Sequence, residues 1–175
     1  MPIYEFEKRK PYIEPSAYIA PSAIVVGDVS IGAECFVGEG AILRGDYGTI
    51  EIGEGTAVEE GVIIHARPDD KTVIGKRVTL GHGAMIHNAT VEDEAVIGMR
   101  ATVSDFARVG HGAIVGEMSL VKNTQEIKPN TIAVGVPARE VGPVKEHQRA
   151  MWTYGKDQYI DLSYRYPKGL KLIKK

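Results

Sequence analysis

The stretch Val91-Glu92-Asp93-Glu94-Ala95-Val96-Ile97-Gly98-Met99-Arg100-Ala101-Thr102-Val103-Ser104-Asp105-Phe106-Ala107-Arg108-Val109-Gly110-His111-Gly112-Ala113-Ile114-Val115 decides the fold. Val91, Ile97, Val103, Val109 and Val115 fall six residues apart, and Ala95, Ala101, Ala107 and Ala113 hold the fifth place of each hexapeptide. An amphipathic helix repeats at about 3.6 residues and a two-faced strand at about 2, so neither explains a strict six with large and small apolar residues at fixed offsets. A coil of short parallel strands does explain it. The aliphatic residue fills the interior of each flat side, the small residue lets the chain turn a corner, and glycine at the second place is expected to supply backbone conformations that other residues resist.

Working outward, the period continues to Val121 and Ile127, and backward through Ile86, Leu80 and Ile74, then Ile64, Val58 and Ile52, then Leu43, Val37, Ile31, Val25, Ile19 and Ile13. All 19 of these positions are Val, Ile or Leu. Three hexapeptides make one triangular coil, and coils stack at about 4.8 Å, so six coils give a prism on the order of 30 Å tall. The expected class is therefore an all-β solenoid, a parallel β-helix over residues 13–142, with residues 1–12 capping its first coil. After Pro143 the spacing of Met151, Trp152, Tyr159, Leu162 and Tyr166 predicts an α-helix with one apolar stripe, interrupted in propensity by Gly155, so residues 143–175 are read as a helix and tail on the prism.

The 175 residues suit one domain, with 43% hydrophobic and 25% charged residues, 20 glycines and only 7% aromatics. No apolar run reaches the roughly 20 residues that span a bilayer. A net charge of −2 offers no cationic field for nucleic acid, and Lys168, Lys171, Lys174 and Lys175 read as a solvated tail. A single cysteine cannot form an internal disulfide, and Met1-Pro2-Ile3-Tyr4-Glu5 lacks the basic-then-apolar layout of a signal peptide, which together predict a reducing, cytoplasmic setting.

The period breaks at three places. The steps from Leu43 to Ile52, Ile64 to Ile74 and Ile86 to Val91 are nine, ten and five residues long, and all fall on the third hexapeptide of successive coils. They share one edge, where Arg44, His65 and His87 should stack one above another at about 4.8 Å per coil. The preceding edge carries Glu59 and His82. Three histidines and a water form a recognised catalytic zinc arrangement, and His65 and His87 are close enough to share one metal. His82 is not: five residues from His87 on another edge, it lies up to about 16 Å away at about 3.3 Å per residue. A cyclic trimer closes the site if the His65 and His87 edge of one prism meets the His82 edge of the next. The alternative is three histidines in surface turns that bind nothing. His111 and His147 fall outside the constellation.

Leu43-Arg44-Gly45-Asp46, Val62-Ile63-Ile64-His65, Gly81-His82-Gly83-Ala84-Met85-Ile86-His87, Ile97-Gly98-Met99 and Gly135-Val136-Pro137-Ala138 resemble the γ-class carbonic anhydrase family, over about residues 10–165. The resemblance implies a left-handed β-helix homotrimer whose three histidines hold Zn2+, with Fe2+ or Co2+ as alternatives, across the subunit interface. It implies reversible hydration of CO2 to bicarbonate, in which zinc held by neutral imidazoles makes hydroxide available near neutral pH. Arg44 and Asp46 match a family pair that forms an intersubunit ion pair and helps bind bicarbonate; a plain interface salt bridge is the other reading. Where the family has asparagine and glutamine ahead of its first histidine, this chain has Ala57 and Glu59. The Glu59 carboxylate is a candidate for positioning or deprotonating the water. Residues 67–71, Arg67-Pro68-Asp69-Asp70-Lys71, replace the acidic loop whose glutamate shuttles protons in founding members. Two other functions remain open: a hexapeptide acyltransferase using acyl-CoA, and a noncatalytic metal-binding trimer.

Overall fold

The computed structural model describes residues 2–173, so Lys174 and Lys175 of the lysine cluster lie outside the described residues. Parallel pairing carries the hexapeptide register through the stack. Ile13, Ile31, Ile52, Ile74, Val91, Val109 and Ile127 form one column of partners. Ile19, Val37, Val58, Leu80, Ile97 and Val115 form the second, and Val25, Leu43, Ile64, Ile86, Val103 and Val121 the third. All of them are buried except Ile13, which is half-buried. Burying one such side chain stabilises by about 1.5–3 kcal/mol, and three inward columns make one continuous core. The result is a left-handed parallel β-helix with a C-terminal helix.

There are seven coils rather than six. The seventh strand on the second column's side is Thr131–Val134, where Ala133 pairs with Val115 and takes the aliphatic place. Arg139–Pro143 then folds back antiparallel on Thr131–Val134 and ends the parallel run. At the other end, Ile3–Tyr4 pairs with Val25–Val26, and Tyr12–Ile13 with Ser30–Ile31.

Glycine acts differently from the expectation. Left-handed backbone falls on the fourth residue of the hexapeptide, and several non-glycine residues accept it there: Glu34, Arg77, Glu94, Arg100, Phe106, Met118, Thr124 and Asn130. The second-place glycines have ordinary φ but no room. A Cβ on Gly98 would stand 2.6 Å from the backbone nitrogen of Glu117 in the next coil. Close stacking, not positive φ, selects glycine at that place.

The three sides differ outwardly. The second column's side shows Tyr18, Phe36, Ala57, Thr79, Val96 and Ile114 and is the helix side. The α-helix Glu146–Gly169 runs along this side, from Arg149 donating to Asn130 at 3.0 Å near one end of the prism to Tyr159 and Tyr166 edge-on to Phe36 at centroid distances of 5.3 and 5.2 Å near the other. Leu162 joins the same packing, whereas Met151 is exposed and belongs to no buried stripe; Gly155 does not interrupt the helix. The buried Lys156 holds the helix to the prism by donating to the Glu94 carbonyl at 2.5 Å. Tyr12, Ser30, Glu51, Val73, Thr90, Arg108 and Glu126 make the first column's side largely polar. The remaining side shows Ile24, Ile42, Ile63, Met85, Thr102 and Leu120, and among the described residues the helix packs on the second column's side rather than on this one. Among the described residues no helix is long and apolar enough to cross a membrane.

Candidate metal centre

The bare apolar side ends in two corners, and each carries histidine. At the corner where the period breaks, Arg44, His65 and His87 are direct register partners in three successive coils. The Nδ1 atom of His65 stands 3.2 Å from the Nε2 atom of His87. The outer nitrogen of each ring meets a carboxylate: His65 Nε2 lies 3.0 Å from Asp46 Oδ1, and His87 Nδ1 makes a short contact with Asp105 Oδ1. Each carboxylate in turn accepts from an arginine, Arg44 to Asp46 Oδ2 at 2.5 Å and Arg67 to Asp105 Oδ2 at 2.9 Å. The six side chains therefore run in line as arginine, aspartate, histidine, histidine, aspartate, arginine. Burial pushes the Asp46 and Asp105 carboxyls up, but hydrogen bonds from their histidine and arginine partners outweigh it and hold both below the usual carboxylate range.

This arrangement fits a metal ion. Two nitrogens bound to one tetrahedral zinc at about 2.0–2.1 Å lie about 3.3–3.4 Å apart, close to the 3.2 Å between the facing imidazole nitrogens. Metal-binding histidines commonly give their other ring N–H to a carboxylate, and both histidines meet one here. With those N–H groups directed outward, the two ring lone pairs face each other across 3.2 Å, and both could bind one cation placed between them.

The long step between Ile64 and Ile74 acts as a brace for this corner. Thr72 donates its hydroxyl to the His65 carbonyl at 2.6 Å, and the buried Asn88 accepts from the Arg67 amide at 3.0 Å while donating to Asp70 at 2.9 Å. Asp70 is thus held within the turn. Asp69 occupies its left-handed position, φ 58°, as an exposed turn residue.

His82 sits at the other corner. Its backbone N–H donates to Glu59 Oε2 at 3.0 Å, and its ring lies 3.2 Å from that oxygen through Nε2 and 2.5 Å from Glu60 Oε2 through Nδ1. Glu59 holds the second hexapeptide place, in a column between the glycines Gly38 and Gly81, and its side chain is buried. Burial raises its pKa, against the opposing influence of His82 and the neighbouring Tyr159 phenol. Among the described residues, no three or more His, Cys, Asp or Glu side chains of the single chain gather around one point suited to a metal. The structure brings Arg44, Asp46, His65 and His87 together, keeps Glu59 with His82, and leaves His111 and His147 exposed elsewhere. Asp105, Arg67 and Glu60 are members that sequence reasoning missed. Asp105 could have been found from its column, since Val103 stacks directly on Ile86 beside His87.

Three in-register aliphatic columns and a corner of stacked histidines define a hexapeptide-repeat β-helix protein. No family model matches the chain. The carnitine operon protein CaiE of Proteus sp. (strain LE138) is 34% identical over 170 residues, spanning 97% of this chain and 86% of that protein. The chain belongs to the hexapeptide-repeat family that includes CaiE. Two solved structures superpose closely at 32% identity. A proposed acetyltransferase of Bacillus cereus, the product of the BC4754 gene, has a TM-score of 0.91, with 94% of this chain and 95% of that one covered. A hexapeptide transferase family protein of Anaplasma phagocytophilum has a TM-score of 0.90, covering 94% and 98%.

Proposed function

We infer that the protein is a γ-type carbonic anhydrase, a cytoplasmic homotrimer that hydrates CO2 reversibly to bicarbonate at a metal site shared between subunits. The observation that carries this reading is the pair of imidazoles whose inner nitrogens lie 3.2 Å apart, each with a carboxylate behind it. His65 and His87 of one subunit and His82 of the next would hold Zn2+, with Fe2+ or Co2+ as alternatives. The bare side supports the assembly, because Ile63 and Met85 are exposed on a strip bounded by the two histidine corners, and contact with another copy would remove that surface from water.

A bound zinc ion would supply a Lewis acid that brings the pKa of water to about 7. Asp46 holds the outer nitrogen of His65. Arg44, paired with Asp46 yet 45% exposed, offers a cation for the bicarbonate anion. Glu59 has one oxygen at both the His82 amide and ring, so its first task is to place His82; any action on water would come through its remaining lone pairs.

The transferase descriptions of the two similar structures favour a second reading, acyl transfer from acyl-CoA. Elemental analysis of protein purified without chelator, with CO2 hydration by stopped flow and acyl-CoA binding by calorimetry, separates them. About one divalent metal per chain with hydration supports the carbonic anhydrase; acyl-CoA binding without hydration supports the transferase; metal without either activity leaves a noncatalytic trimer.

A further inference from the structure

The pair Arg44 and Asp46 has a counterpart on the far side of the two histidines. Asp105 lies one coil above His87, with one carboxylate oxygen on His87 Nδ1 and the other accepting from Arg67 Nη1 at 2.9 Å. Arg67 is itself held at both ends: its amide donates to Asn88 at 3.0 Å, and its guanidinium lies 5.8 Å from the centroid of the Phe106 ring. Asn88 directly follows His87, so the arginine and the histidine it supports hang from the same turn. An ordinary surface ion pair would involve no ring and is worth about 0–1 kcal/mol. This one ends on an imidazole.

We propose that Arg67 and Asp105 form a positioning arm that fixes His87 as its Nδ1–H tautomer and turns its Nε2 lone pair toward His65 and the metal. The proposal rests on the metal-centre reading above, and it adds a tautomer for each ring. Asp46 accepts from His65 at Nε2, whereas Asp105 accepts from His87 at Nδ1, so the two histidines carry opposite tautomers. His87 needs the arm more than His65 does, because its side chain is 38% exposed against 14% and has space to turn away. Without Asp105, nothing else in the described hydrogen bonding fixes the outer nitrogen of His87.

The test compares wild type, Asp105→Asn and Asp105→Leu. Long-range nitrogen–proton NMR on metal-free, histidine-labelled protein reads the tautomers, and chelator competition reads zinc affinity. The arm predicts His87 as Nδ1–H and His65 as Nε2–H in wild type, with the His87 signature lost in Asp105→Leu. It also predicts zinc held about 10–100-fold more weakly by Asp105→Asn, with assembly mass unchanged. His87 found as Nε2–H in wild type would overturn the arm, as would equal zinc affinity in wild type and Asp105→Asn. If Asp105→Leu fails to fold, the wild-type tautomers and the isosteric Asn variant still decide. Wild type without zinc would remove the carbonic anhydrase reading instead, and the tautomers, read without metal, would decide the arm alone.

Discussion

The two corners of the bare side carry the same residue type in opposite surroundings. At one, His65 and His87 face each other across 3.2 Å, and every outer nitrogen, carboxylate and supporting arginine comes from the chain itself. At the other, His82 is half exposed, with Glu59 and Glu60 around its ring and, among the described residues, no second imidazole beside it to share a metal with. One corner is a nearly complete pair of donors; the other offers a single donor. The difference teaches that a repeat of similar coils can place unlike histidine surroundings at two corners of one side; the proposed shared site would need another copy to bring them together.

Removing the lone donor should have the largest effect. His82→Ala is expected to lose tightly bound metal completely while keeping its fold, because the ring is exposed and fills no core space; elemental analysis and circular dichroism check this. Charging the strip between the corners should act on assembly instead. Met85→Glu places a carboxylate at an exposed apolar position, and mass measurement in solution should show monomer in place of trimer. A persisting trimer would assign the interface to another side.

A milder change tests how far His82 depends on its support. Glu59→Gln keeps an acceptor for the His82 amide and removes the charge, so metal should remain while the hydration rate shifts by up to about tenfold. Identical rates from pH 6 to 9 would leave Glu59 with packing alone. The smallest effect is expected at the brace of the double-histidine corner. Asp69→Asn exchanges one residue tolerant of left-handed backbone for another, and should change stability by less than about 0.5 kcal/mol and hydration not at all. A fall in hydration would make Asp69 a proton carrier.

The columns were legible because Val, Ile and Leu at a six-residue step have only one geometry that buries them all, and every one of those positions pairs in register. The seventh coil was not, because Ala133 stands where the aliphatic residue should be. Arg44, His65 and His87 could be stacked from the lengths of the broken steps alone. Asp105 could not be singled out so easily: Asp93 holds the same place two residues after Val91, and only the column beneath Val103 distinguishes them. Glycine was misread for a related reason. The sequence shows which residue lacks a side chain, whereas the coil above shows why, as the 2.6 Å approach at Gly98 does.

The central claim is that each site takes His65 and His87 from one subunit and His82 from its neighbour. Unfolding His65→Ala and His82→Ala chains together in equal amounts and refolding them makes about three quarters of the trimeric rings mixed, and each mixed ring regains one complete ligand set of three. Either variant alone should hold no tightly bound metal, and the refolded mixture should recover roughly a quarter of the wild-type content. No recovery, with mixed trimers demonstrated by mass, would contradict the shared site.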